Sequence, residues 1–74
     1  MSDVSEKALV IATNYLGPAA KRFLERQCKL HLNVEFDNIN RTNLPDLAKW
    51  VKTSATFITD AEKAERLGNE ISRI

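Results

Sequence analysis

Residues 15–27 read YLGPAAKRFLERQ, and how the Gly17-Pro18 pair is understood decides the fold. Glycine enters positive φ without a Cβ penalty, and so it closes many helices at the position just past their last turn. Proline, with φ fixed and no N–H, suits the first turn of a helix that follows. The alternative is a phosphate-binding turn, which wants several glycines so that consecutive N–H groups converge on the anion. Here there is one glycine, and Pro18 removes one of the donors. The pair predicts a corner between two helices.

Working outward from the corner, Val4, Ala8, Leu9, Ala12, Tyr15 and Leu16 recur at helical spacing, with Asp3 and Glu6 at capping-box spacing in front. Behind it a second helix is predicted from Pro18 to Leu30 or His31. Ala19, Phe23, Leu24, Gln27, Leu30 and His31 fall on its inner side, with Cys28 at the edge. Lys21, Arg22, Glu25, Arg26 and Lys29 fall on the other side as a mostly basic stripe. The segment LNVEFDNINRTN alternates like a strand, but a lone strand has no partner to pair with. It is expected to be extended or a short helical turn, pinning Phe36 and Ile39 into the core.

A third helix starts near Asn43 as N-cap, with Pro45 and Asp46 in its first turn. Its inward stripe is Leu44, Leu47, Val51, Ser54, Ala55 and Ile58, with Trp50 and Phe57 beside it. Thr59 and Glu62 are spaced as a capping box for a fourth helix, whose face of Ala61, Ala64, Leu67, Gly68 and Ile71 is small enough for close packing. The expectation is an all-α, small four-helix domain built from two helical hairpins, occupying residues 1–74 as one domain.

Bulk properties narrow the function. A 74-residue chain buries only about 60–65% of its unfolded surface, so a homo-oligomer or attachment to a larger protein is a natural supplement. The net charge of +1 argues against nucleic acid as a partner, since such domains are usually clearly basic. A single cysteine makes no internal disulfide, and acids precede the first apolar stretch, so a cytoplasmic setting is expected. No apolar run approaches the ~18 residues of a membrane span.

The chemistry-bearing residues are sparse. Cys28 and His31 sit three apart, but zinc needs further ligands and the chain has no second cysteine or histidine. As a nucleophile and base the pair lacks a third, orienting group. No metal, no cofactor and no catalytic residue is expected. Asp3, Glu6, Asp46, Asp60 and Glu62 lie in first turns, where capping and the helix dipole account for them.

What remains is the stripe of Lys21, Arg22, Arg26 and Lys29. It reads either as a solvated face or as a docking surface for an acidic protein patch, anionic lipid or nucleic acid, protein being favoured. Trp50 is added as a candidate anchor, because tryptophan is enriched at interface hot spots. Helix-turn-helix DNA binding is disfavoured, since Asp60, Glu62 and Glu65 near the start of the last helix would repel phosphates.

The corner also carries a family resemblance. Tyr15, Leu16, Gly17, Pro18, Ala20 and Lys21 or Arg22 are similar to the Tyr-Ile/Leu-Gly-Pro-x-Ala-Lys/Arg corner of a small helical domain found at the C-terminus of bacterial signalling proteins. Those proteins include eukaryotic-like serine/threonine kinases and response-regulator chains. NLPDLAKWV (43–51) and TDAEKAERLGNEI (59–71) resemble that domain's second half. The resemblance implies a non-enzymatic accessory or interaction domain and supplies no catalytic residues. Its alternative is a nucleic-acid-binding protein using the basic face.

Overall fold

In the computed structural model, which describes residues 1–74, the first helix α1 (Asp3–Leu16) ends at Gly17 with φ 60° and ψ −140°. The Gly17 N–H donates to the Thr13 carbonyl, and a 3₁₀ turn, Gly17–Ala19, carries Pro18 into α2 (Ala20–Gln27). The corner therefore has the predicted positive φ and the predicted proline entry. Helix α2 widens into a π turn, Cys28–Leu32, which Asn33 closes in the left-handed region at φ 55°. Two 3₁₀ turns, Phe36–Asn38 and Arg41–Asn43, lead to α3 (Leu44–Ala55), and α4 (Ala61–Ser72) completes a chain without strands.

Three helices are long, with α1 at 14 residues and α3 and α4 at 12 each, while α2 has only eight before its π turn. The two halves are accordingly unequal. Helices α3 and α4 form one closely packed hairpin, whereas the first half is a long helix, a corner and a short interrupted helix. Helix α1 packs on α4 as well as on α2. The Ser54 hydroxyl donates to Gln27 Oε1 at 2.9 Å, and the His31 ring stacks on Trp50, so α2 and α3 run antiparallel.

One core joins the helical elements. Leu24, Leu47, Val51, Leu67 and Ile71 have no exposed surface, and Phe36 and Ile39 seal one side from the connecting segment, as expected of them. Small residues set the helix separation. Gly68 lies under the Lys52 side chain, where an added Cβ would be 2.2 Å from Lys52 Cγ. Lys52 reaches on to Glu65 at 3.6 Å.

Several local expectations shift by one to three residues. Ser2, not Asp3, caps α1: its Oγ accepts from the Ser5 N–H at 3.0 Å, and the Ser5 hydroxyl returns to the Ser2 carbonyl. Ser2 wins because tertiary bonds hold it, its hydroxyl donating to the Ile39 carbonyl and its N–H to that of Asp37. Asp60, not Thr59, caps α4 by accepting from the Lys63 N–H at 2.8 Å. Asn43 holds the N-cap position of α3 as expected but makes no side-chain cap bond there; its side chain accepts from the N–H of Asn40, which caps the preceding Arg41–Asn43 turn. Helix α3 stops at Ala55, so Ile58 and Phe57 fall beyond the buried stripe and stand in the open.

The inner face of α2 is also corrected. Ala20, Leu24, Gln27 and Cys28 are buried, Phe23 is half-buried, and Ala19, Leu30 and His31 are exposed. Ala19 lies in the 3₁₀ turn ahead of α2, and for Leu30 and His31 the π turn contributes. Its wider winding makes each residue lag behind its α-helical position. Leu30 and His31 consequently rotate off the inward line that α-helical spacing assigns them.

Candidate partner-docking face

Helix α2 presents its outer side because its inner side is fixed by Leu24 and Cys28 in the core. Lys21, Arg22, Arg26 and Lys29 are all exposed there, as the periodicity predicts. Arg22, Arg26 and Lys29 line one open groove together with Glu25, Leu30, Glu35 and Phe36. Lys21 lies in an adjoining groove with Pro18, Ala19, Arg22 and Glu25. The molecule's ion pairs lie elsewhere: Lys7 with Asp3, Lys52 with Glu65, and Arg66 with Glu62. No carboxylate pairs with any of the four cations of the stripe.

Trp50 is not brought into this group. It is half-buried on α3, with the His31 ring stacked on it at 3.8 Å between centroids and 5° between planes. The Lys49 ammonium lies 5.5 Å from the ring centroid. Trp50 thus ties the π turn to α3, and its contact with His31 is internal to the fold. The exposed aromatic is instead Phe57, 86% accessible in the turn between α3 and α4.

Leu30, Glu35 and Phe36 belong to the groove and escape a reading of the sequence. Leu30 is 62% exposed in the π turn, which has no sequence signature here. Glu35 and Phe36 reach the groove through the path of the connecting segment after Asn33.

The remaining reactive groups have structural surroundings. Cys28 is fully buried, and burial pushes its thiol up to about 11, which leaves little thiolate near neutral pH. His31, three residues on, is exposed and occupied by Trp50, so the two side chains point to different environments. The Tyr15 hydroxyl donates to the Glu70 carboxylate across α1 and α4. That bond, with burial and the negative charge of Glu70, raises the Tyr15 pKa above its ordinary value, against a lowering by Arg66. No set of three or more His, Cys, Asp or Glu side chains converges as metal ligands would. No helix is long and apolar enough to cross a membrane.

No protein-family model, curated protein or solved structure matches the chain.

Proposed function

We propose that this chain is a non-enzymatic protein-interaction or regulatory module that docks an acidic partner on the outer face of α2. The observation that supports it is the stripe of Lys21, Arg22, Arg26 and Lys29, exposed on one side of one helix with no ion-pair partner. A cation already paired within the fold must lose that partner before it can bind another. These four have none to lose, and charge complementarity of this kind governs encounter and specificity. The placement in bacterial signalling rests on the resemblance of the Tyr15–Arg22 corner, and a cytoplasmic setting on the lone cysteine. We read the architecture as a small four-helix domain in which α2 and its π turn together count as the second helix.

The test is a pull-down from the native cell beside a thermal melt, with wild type and Arg22→Glu/Arg26→Glu treated alike. The expected result is an unchanged melt and loss of the captured partner, because isolated exposed charges contribute little to folding. A variant that melts normally and captures every partner overturns the proposal. Nucleic acid bound to the same face instead would weaken steeply with salt. A second copy as partner would show in sedimentation over a concentration series.

A further inference from the structure

The groove beside α2 is one part of a longer trough. The groove holding Lys21 shares Arg22 and Glu25 with it, and a third groove, running to Asn33 and Val34, shares Lys29 and Glu35. From Pro18 to the end of the π turn the helical rise is roughly 20 Å. That is most of the molecule's longest dimension of 28 Å.

Along this trough Arg22, Arg26 and Lys29 follow one another at i, i+4 and i+7, so the positive charge comes in steps of one helical turn. Leu30 follows directly, 62% exposed, and lines the same groove as the buried Phe36. A leucine left this open in the same groove as three unpaired cations gives the trough two chemistries in a fixed order. A diffuse acidic patch would satisfy the charges and leave the leucine wet. Nucleic acid and anionic headgroups would do the same.

We propose that the trough takes an acidic helical segment of a partner protein, with carboxylates one turn apart facing Arg22, Arg26 and Lys29 and a large apolar side chain covering Leu30. This rests on the docking function proposed above and names the partner class. Amphipathic helices are read in grooves by this kind of spacing. Glu25 and Glu35, which flank the cations, add a selection: a partner with lysine or arginine between its carboxylates is tolerated, whereas a uniformly acidic chain meets repulsion at both positions.

The probe is a synthetic labelled peptide of about four helical turns, with glutamates at i, i+4 and i+7 and one leucine beyond them. Its binding to the full chain is followed by fluorescence anisotropy. A second peptide has the same composition in shuffled order and is expected to bind about fivefold more weakly, the sum of three individually weak exposed pairs. Leu30→Ser is expected to weaken the ordered peptide about tenfold, as loss of one buried leucine contact implies. Leu30→Ser should melt as wild type does, because Leu30 is exposed. Equal binding of the two peptides, or an unchanged Kd in Leu30→Ser, overturns the inference. If Arg22→Glu/Arg26→Glu still abolishes capture of the cellular partner in that case, the docking face stands and only the helical partner falls. If the charge reversal affects neither peptide nor cellular partner, the proposed function falls as well.

Discussion

Two open grooves of about 590 Å³ each cut into this molecule, one between α1 and α4 and one beside α2. Each mixes acids, bases and an exposed aliphatic side chain, Val10 in the first and Leu30 in the second. They differ in where their charges go. In the first, Asp3 holds Lys7 at 3.3 Å, Glu70 accepts the Tyr15 hydroxyl, and the remaining Glu6 and Arg73 cancel in sign. In the second, three cations face two carboxylates and no ion pair forms. The first groove is a seam of the fold, and the second is a face with charge to offer. Composition alone does not separate them; pairing does.

If the α1–α4 groove is a structural seam, damage beneath it should be read in stability. Ile71→Ala on the fully buried side of α4 is expected to cost about 2–5 kcal/mol in urea unfolding, with Ile71→Val nearer about 1 kcal/mol. In a domain this small the alanine variant can unfold outright, which the valine variant guards against. A valine variant that kept full stability but lost its partner would invert the comparison.

The same contrast holds across the thickness of α2, whose outer side is offered and whose inner side is sealed. Cys28 should react with a thiol reagent in the native chain about a hundredfold more slowly than in urea, because the rise from 9.0 to about 11 removes that much thiolate. The raised pKa also fixes a sign. Between pH 9 and 11 the unfolded thiol ionises before the folded one, so the stability it contributes is present below that window and is lost as pH rises through it. Rapid native labelling would mean that the π turn opens, and the proposed docking face would then be mobile.

Gly17 links the two regions. Gly17→Ala is expected to destabilise by about 1 kcal/mol or more, since its φ of 60° is costly with a Cβ although nothing crowds the site. A raised melting temperature would end that argument. The smallest effect is expected at the apolar residue of the seam. Val10→Ser should leave both the melt and partner capture unchanged, although Val10 at 65% is as exposed as Leu30. Loss of capture there would make the two grooves equivalent.

These residues also show what the sequence discloses. The corner is legible because Gly17 and Pro18 act through their own covalent geometry, and the basic stripe because it needs only a helical period. The caps are missed narrowly. Ser2 and Asp3, or Thr59 and Asp60, are adjacent and chemically equivalent as caps, and at the first helix distant bonds to Asp37 and Ile39 decide. The stacking of Trp50 on His31 is not legible, because His31 arrives through a π turn that propensity does not encode. Leu30 is missed because it sits at the margin of the apolar side, about 120° from Leu24 on an ideal helix, and with it the apolar half of the proposed docking face.

A π turn is an α-helix carrying one residue more than its hydrogen bonding requires. Genetically that is one codon. Deleting Lys29 would let Cys28–Leu32 rewind as α-helix and remove one cation of the stripe in the same step. A lineage could therefore lengthen or shorten the positive stripe by a single in-frame insertion or deletion, while Leu24, Val51 and Ile71 in the core stayed as they are.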